Sequence, residues 1–380
     1  MEMIQNFQQV LTNEYHQLKK ENISIEFQSE MAISGVFSDI TPYIKKSGDN
    51  NLYPTSGDGK KKILAYSLLN HITKEYDSDK IPIFLIEEPE NSLHRSMQIA
   101  LSKQLFDQSI YQYFLLSTHS SELLYEMDEA VLVRIYSKDK ISCQSHMYNV
   151  SPEYSSMKKE LNESLTKALF AEKVLLVEGP SEKVLFEKIL SEVEPTYELN
   201  GRFLLVVDGI KFKPYYETLR ALDIIPIVKT DNDIKEVKGN MGEFEYIGFN
   251  RCLSILKKTE FDRVSINYST NVDGVERWLI PNKKRLIKKE KIDLFGRCES
   301  LVEELKDDNI FLSRVDLEED LFEVIPDILE KEFGNTNPVG KLQDKKMLNM
   351  IELTKKMTKE DCEKVYNHSN FECIQKLVND

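Results

Sequence analysis

The sequence predicts an α/β protein built on a parallel β-sheet with helices packed against it. Three short apolar runs have the composition of strands that are covered on both faces, at residues 174–177, 203–207 and 224–230. Apolar residues at helical spacing follow the first two runs, at residues 180–190 and 213–222. This alternation predicts right-handed crossovers, which place all three strand carboxyl ends at one edge of the sheet.

The chain before this sheet begins with a predicted polar helix at residues 7–21 and an alternating strand at residues 23–27. A glycine-rich turn that contains Ser56, Gly57 and Gly59 then precedes three lysines and opens a second helix. Backbone N–H groups at the start of such a helix can bind a phosphate. Taken alone, these residues fit an ordinary turn equally well.

Two further apolar strands end in residues that can carry chemistry. The strand at residues 81–86 is followed by Glu87 and Glu88, and the strand at residues 113–117 leads to His119. In an ATPase, Glu88 would polarise the attacking water and Glu87 would support Mg²⁺. A single histidine is more often structural, so the assignment of His119 depends on its neighbours.

The turn, the paired acids and the histidine occur in the order signature loop, Walker B strand, switch histidine. They resemble the second half of an ABC-type ATPase head, and the resemblance implies that ATP is bound by Ser56, Gly57, Gly59, Glu87, Glu88 and His119. Glu87 stands where these heads usually carry aspartate, which leaves its metal role open. The G-x-x-x-x-G-K-[ST] loop is missing, so we expect no ATP hydrolysis by this chain alone. We interpret the chain as the C-terminal part of a longer, truncated or split protein.

Carboxylates also follow the strands of the predicted parallel sheet. Glu178 comes directly after the first strand, Glu182 lies four residues later near the helix start, and Asp231 and Asp233 follow the third strand. Oxygen ligands gathered at one edge suit Mg²⁺ or Mn²⁺, which can activate water and hold phosphate oxygens. The simpler interpretation is a set of solvated carboxylates that close two strands. Asp208, after the middle strand, is predicted to form a turn in preference to binding metal.

Residues 173–233 resemble a Toprim domain, in which a strand-end glutamate and a later Asp-x-Asp pair carry metals. An ATPase head followed by a Toprim domain is the layout of the overcoming lysogenization defect (OLD) family of nucleases. Along its length the chain also resembles the endonuclease subunits of Gabija anti-phage systems. The stretches that carry this resemblance are residues 27–40, 87–100, 120–127, 177–183 and 227–233.

The family resemblance implies a Mg²⁺- or Mn²⁺-dependent endonuclease that cuts double-stranded DNA in anti-phage defence. It further implies a homotetramer that is restrained by ATP and paired with a UvrD-like helicase subunit. The implied metal ligands are Glu178, Glu182, Asp231, Asp233 and Asp316. Asp316 comes after a short predicted strand that begins at Phe311, and Glu318 and Asp320 stay open as further ligands. The implied catalytic residues are Glu178, Asp231, Asp316 and Lys346. The lysine would stabilise charge on the scissile phosphate, and neighbouring Lys345 stays an alternative for this role.

The same resemblance divides the chain into a partial ABC-type head at residues 1–150 and a Toprim nuclease domain with a helical C-terminal extension at residues 165–380. The extension contains a basic run at residues 282–291, with six basic residues and one acid. This run could hold a DNA backbone by counterion release. A solvated helix face is an equally good interpretation.

The amino-acid composition restricts the classes of protein to which the chain can belong. A chain of 380 residues with 41% hydrophobic content can bury the cores of two or three domains. The net charge of −14 argues against a broadly basic nucleic-acid surface, although a local basic patch can still bind phosphate. Five cysteines without a C-x-x-C pair, and no recognisable signal peptide, predict a reduced cytoplasmic protein. The rival hypothesis is a non-catalytic or remnant ATPase-head subunit that acts through a partner.

Overall fold

A computed structural model of the chain describes residues 2–18, 23–29, 40–48, 51–54, 57–74, 81–106, 113–137, 141–208, 211–272, 275–278 and 280–379. The chain divides into two compact units, and each is described by itself. The first comprises Met1–Ala130 and Asn149–Thr166, and the second comprises Val131–Tyr148 and Lys167–Asp380. Residues 131–148, which the sequence analysis assigned to the first domain, therefore make their contacts in the second unit.

The helices are α1 (Glu2–Leu18), α2 (Asp58–Lys74), α3 (Arg95–Leu105), α4 (Lys158–Ala168), α5 (Pro180–Val193), α6 (Phe212–Ala221), α7 (Ile247–Ile255), α8 (Ile280–Arg297), α9 (Glu299–Asp307), α10 (Leu317–Val324), α11 (Pro326–Phe333), α12 (Pro338–Asp344), α13 (Lys346–Lys356), α14 (Lys359–Asn367) and α15 (Glu372–Val378). Short 3₁₀ helices lie at Glu122–Leu124, Pro152–Met157 and Ser369–Phe371.

The strands are β1 (Ile23–Ser29), β2 (Ile40–Lys46), β3 (Leu52–Pro54), β4 (Phe84–Glu87), β5 (Phe114–Ser117), β6 (Ala130–Ser137), β7 (Ile141–Tyr148), β8 (Lys173–Val177), β9 (Arg202–Val206), β10 (Ile225–Thr230), β11 (Lys235–Glu236), β12 (Glu243–Glu245), β13 (Val264–Ser265), β14 (Ser269–Val272), β15 (Val275–Trp278) and β16 (Ile310–Leu312).

The first unit contains an antiparallel sheet and a separate parallel pair of strands. In the antiparallel sheet β2 pairs with both β1 and β3, whereas β4 and β5 run parallel with Glu87 opposite Ser117. The two strands predicted to carry the Walker B acids and the histidine thus form and lie side by side. The core of this unit includes Leu11, Tyr15, Ile25, Leu101 and Leu105.

The second unit is built on one parallel sheet with the strand order β16-β10-β8-β9. In the register of the sheet, Leu176 of β8 pairs with Val228 of β10, and Val228 pairs with Ile310 of β16. The three strands predicted from the sequence are confirmed, and β16 extends the sheet beyond β10. The apolar residues of β8 are fully buried, since β8 is an interior strand against which α15 also packs.

The C-terminal helices belong to the core of the second unit. Buried side chains of α10, α13, α14 and α15 join those of α5 in one apolar cluster, which includes Leu321, Leu353, Val365 and Leu377. The predicted helical extension is therefore confirmed as part of the sheet-bearing unit. Among the residues that the structure describes, no helix is long and apolar enough to cross a membrane.

Candidate active site

Glu178 and Asp231 lie side by side at the carboxyl edge of the parallel sheet. They directly follow β8 and its neighbour β10, so both emerge at the same edge. The Thr230 hydroxyl donates to Glu178 Oε1 at 2.6 Å, and the Asp231 N–H donates to the same oxygen at 3.0 Å. Asp208, after β9, is exposed and has a positive φ of 41°, as the predicted turn residue should.

A lysine from the C-terminal helices lies among three of the carboxylates. Lys346 is the first residue of α13, and its Nζ is 3.0 Å from Glu182 Oε1, 3.1 Å from Glu318 Oε1 and 3.7 Å from Asp231 Oδ2. Lys345 is exposed at the N-cap position of the same helix. Of the two lysines left open by the sequence, Lys346 is the one that contacts the carboxylates.

Two more cations contact the carboxylates that follow β8 and β10. Arg251 on α7 donates from Nη1 to Glu178 Oε1, and its Nη2 is 3.9 Å from Asp233 Oδ2. Lys291 Nζ is 3.6 Å from Asp233 Oδ1. No sequence pattern singled out Arg251, and Lys291 was predicted only as a member of the basic run.

Asp316 follows β16 and caps α10. Its Oδ1 accepts the Glu319 N–H at 2.9 Å, and its Oδ2 accepts a hydrogen bond from Gln343 Nε2 at 3.0 Å. The next N–H, from Leu317, donates to Asp231 Oδ1 at 2.9 Å. Asp316 therefore lies next to the carboxylate edge, with both of its oxygens already hydrogen-bonded.

Burial and mutual repulsion control the protonation of these acids. Burial raises the pKa of Asp231 well above its usual range; Lys346 opposes this, and three neighbouring carboxylates add to it. Burial likewise raises the pKa of Glu318 against the opposition of Lys346. At Glu182 burial acts in the same direction, but the ammonium group of Lys346, together with hydrogen bonds from the backbone and the Ser181 hydroxyl, outweighs it and the pKa is lowered.

The donor set at this edge has the chemistry that a hard divalent cation requires. The carboxylates supply hard oxygen donors, and they outnumber the three cationic side chains that contact them, Lys346, Arg251 and Lys291. With the side chains as placed, no group of three or more Asp, Glu, His or Cys residues within the described ranges could hold one ion. Lys346 and Arg251 instead contact the acids directly. A divalent ion could bind several of these carboxylates at once only if some of the side chains shift. The carboxylates at the edge are Glu178, Glu182, Asp231, Asp233, Asp316 and Glu318.

The start of α7 packs tightly against the loop that carries the Asp-x-Asp pair. The Gly248 N–H donates to the Asp233 carbonyl oxygen at 3.0 Å. A Cβ atom at position 248 would lie 2.7 Å from both the Asn232 Cα and the Asp233 nitrogen, and closer still to the Asp231 carbonyl oxygen. Glycine is thus required here because the obstructing atoms are backbone atoms.

Gly248→Ala is expected to lower the free energy of unfolding by about 1–3 kcal/mol, because the added methyl group overpacks the loop. It should also weaken Mn²⁺ binding, since the loop that carries Asp231 has to move. Urea unfolding and calorimetric titration measure the two effects. Gly296→Ala on α8 is the matched control, because a Cβ there meets nothing within 4 Å. Parent-like stability and Mn²⁺ affinity in Gly248→Ala would contradict the expectation.

In the first unit, the predicted Walker B acids and histidine come together at the ends of the parallel pair. His119 Nε2 is 3.7 Å from Glu88 Oε1, and Glu88 has a positive φ of 39°. Glu90, which the sequence analysis passed over, accepts the His119 N–H at 2.7 Å and the Thr118 hydroxyl at 2.8 Å. Glu87 ends β4 and is exposed.

The predicted signature loop is described only in part. Ser56 lies outside the described residues. Gly57 has a positive φ of 125°, and Gly59 in the first turn of α2 approaches the loop after β4 so closely that a Cβ would lie 2.7 Å from the Ser92 carbonyl oxygen. The start of α2 and the turn after β4 are therefore neighbours.

The basic run lies on α8 and does not act as one surface. Half of its basic residues form ion pairs within the unit: Lys283 with Glu236, Lys288 with Glu319 and Lys291 with Asp233. The remaining basic residues, which are exposed, are Lys284, Arg285 and Lys289. Part of the run therefore forms ion pairs within the unit, and part faces solvent.

Three strands of the parallel sheet, β8, β9 and β10, lie in a region that matches a known family of domains. Residues 169–233 match the family described as overcoming lysogenization defect protein-like, TOPRIM domain. Over 378 residues, which cover 100% of this chain, the sequence is 53% identical to "Endonuclease GajA" of Bacillus cereus (strain VD045). The chain is thus similar along its whole length to this endonuclease, and part of its parallel sheet matches an OLD-like Toprim domain. It spans 64% of the length of that relative. The residues that match the Toprim model include Glu178, Glu182, Asp231 and Asp233.

Similarity to solved structures is partial. A structure described as concerning ATP-driven dimerization and DNA-stimulated activation of SMC ATPases is 15% identical with a TM-score of 0.30, and the match covers 42% of this chain and 93% of that chain. The C-terminal region of the Xanthomonas campestris pv. campestris OLD protein is 16% identical with a TM-score of 0.30, and the match covers 55% of this chain and 94% of that chain.

Proposed function

We propose that this chain is an OLD-family, metal-dependent endonuclease of the Gabija type that hydrolyses phosphodiester bonds of double-stranded DNA in anti-phage defence. The observation that carries the proposal is the convergence of Glu178, Asp231 and Lys346 at the carboxyl edge of the parallel sheet. The 53% identity to an endonuclease along the whole chain supports it.

The side chains proposed to hold Mg²⁺ or Mn²⁺ are Glu178, Glu182, Asp231, Asp233 and Asp316. The bound ion would activate water and polarise the scissile phosphate. Lys346 would contribute a permanent positive charge beside that phosphate. Burial lowers the pKa of Lys346, but the three carboxylates around it outweigh burial and raise the pKa above its usual value. The ammonium group thus remains charged at neutral pH.

The exposed basic residues of α8 are proposed to hold the DNA backbone. Lys284, Arg285 and Lys289 are exposed on α8, the helix whose Lys291 contacts Asp233. Backbone phosphates held by lysine and arginine release counterions, which favours binding. A local patch of this kind is compatible with a net charge of −14.

Features of the first unit support two further proposals, one on regulation of the chain by ATP and one on its assembly with partners. ATP would act as a regulator at Gly57, Gly59, Glu88 and His119, without turnover by this chain alone. The proposed partners are further copies of the chain, in a homotetramer, and a UvrD-like helicase subunit. Leu85 and Leu115 of β4 and β5 are 80% and 63% exposed, which supports association because parallel strands normally have both faces covered.

Incubation of the purified chain with supercoiled plasmid tests the proposal. Nicked or linear product is expected with Mn²⁺ or Mg²⁺ and none with excess EDTA, because the carboxylates alone cannot activate water. Glu178→Ala, prepared in the same way, controls for contaminating nuclease. Intact plasmid under every metal condition would favour the rival hypothesis of a remnant ATPase-head subunit that cuts nothing.

A further inference from the structure

The two oxygens of the Glu178 carboxylate have different environments. Oε1 accepts hydrogen bonds from the Thr230 hydroxyl, from the Asp231 N–H and from Arg251 Nη1. Oε2 accepts no hydrogen bond from any of the residues that the structure describes. The carboxylate is thus anchored through one oxygen and presents the other as a lone-pair donor at the sheet edge.

Arg251 is the only charged donor among these three. Its Nη1 also donates to the Thr230 hydroxyl oxygen, so one guanidinium orients both the carboxylate and the hydroxyl that bonds to it. Its other nitrogen is 3.9 Å from Asp233, in the loop after β10. Arg251 therefore bridges the acid that follows β8 and the acid pair that follows β10.

The protein fixes the position of this guanidinium from two sides. Gly248, one helical turn before Arg251 on α7, packs against the backbone of the Asp-x-Asp loop. The guanidinium carbon lies 5.6 Å from the centroid of the Phe212 ring, within the range of a cation–π contact. The side chain is 20% exposed, so it is largely withdrawn from solvent and has few alternative positions.

We propose that Arg251 is a positioning residue for metal binding: it holds Glu178 by Oε1 so that Oε2 faces the ion. Groups that orient metal ligands in this way typically contribute about 10–100-fold in metal affinity or activity. The inference rests on the proposed metal-dependent function. Arg251 has two opposing effects on metal affinity, because it orients a ligand but also repels a cation. The excess of carboxylates over cations at this edge means that orientation should dominate.

The test compares the Mn²⁺ affinity of the parent protein, Arg251→Met and Arg251→Lys by calorimetry. Arg251→Met should bind Mn²⁺ about 10–100-fold more weakly. Arg251→Lys should recover part of this loss, because it keeps the charge but not the two-nitrogen geometry. In plasmid cleavage, the half-saturating Mn²⁺ concentration should rise, while the rate at saturating Mn²⁺ stays near the parent value.

A purely structural role would not produce this separation of metal affinity from maximal rate. Thermal unfolding in EDTA checks that each variant is folded, and Arg263→Met is the control, because Arg263 is 54% exposed and pairs with Glu245 away from the Glu178 carboxylate. If Arg251→Met does not fold, Thr230→Val removes only the bridging hydroxyl and should show a smaller loss of Mn²⁺ affinity in the same direction.

The outcomes separate the inference from the function on which it rests. Equal or tighter Mn²⁺ binding by Arg251→Met, beside a parent that binds Mn²⁺, overturns the positioning role and leaves the proposed nuclease intact. A rate at saturating Mn²⁺ that falls with no change in affinity also overturns it, since Arg251 would then act on substrate. A parent that binds no Mn²⁺ overturns both.

Discussion

Asp231→Asn is expected to reduce metal-dependent DNA cleavage about a thousandfold or more. Asp231 lies between Glu178 and Lys346, and a divalent ion typically contributes several kcal/mol to such a reaction, where each 1.4 kcal/mol corresponds to about tenfold in rate. The amide oxygen can still accept the Leu317 N–H, so the fold should survive. Plasmid cleavage rates measure the loss, with the exposed Asp262→Asn as control.

The same substitution should change how stability depends on pH. Burial, with the neighbouring carboxylates, raises the pKa of Asp231 well above its usual range despite the opposing charge of Lys346. The folded protein therefore binds this proton more tightly than the unfolded chain, and the contribution of Asp231 to stability falls as pH rises above about 4. Asp231→Asn should remove that fall when urea unfolding is followed from pH 4 to 8 in EDTA. Parent-like cleavage by Asp231→Asn would contradict its proposed role.

Lys346→Met is expected to slow cleavage by about 100-fold or more while leaving Mn²⁺ binding in place. Removing a group that stabilises charge in a transition state typically costs 10²–10³ in rate. Mn²⁺ affinity should be retained, because the substitution removes a competing cation from Glu182, Glu318 and Asp231. Cleavage assays and calorimetric titration of the same samples measure the two effects.

The metal-free protein should be destabilised by the same substitution. Loss of the ammonium leaves three carboxylates without their shared cation, at a cost of about 1–3 kcal/mol. This is less than for a fully buried pair, because the Lys346 side chain is 37% exposed. Lys345→Met is the control, since Lys345 is exposed at the N-cap position of the same helix. Normal cleavage by Lys346→Met, or its loss in Lys345→Met, would contradict the assignment.

The parts of this site that the sequence could predict are those set by strand ends. Glu178, Asp231 and Asp233 follow apolar runs of strand length, and parallel strands deliver the residues after them to one edge. Asp316 and Lys346 were selected only by family resemblance, because nothing in their spacing shows that β16 and α13 reach the same edge.

The residues that sequence analysis missed depend on tertiary contacts. Arg251 is one of many charged residues, and only the packing of α7 brings it to Glu178. A weak signal existed in Gly248, because glycine is unfavourable inside a helix and often marks a close approach. The basic run could not be divided from the sequence for the same reason: composition does not show that Lys283 and Lys291 turn inward while Lys284 stays exposed.

Calorimetric titration of Mn²⁺ into the parent chain and into Glu178→Ala tests most directly whether the strand-end carboxylates form a metal site. Saturable binding by the parent is predicted, with binding greatly weakened in Glu178→Ala while circular dichroism remains that of a folded protein. Absence of Mn²⁺ binding by the folded parent, or equal binding by the folded variant, would contradict the proposed metal site.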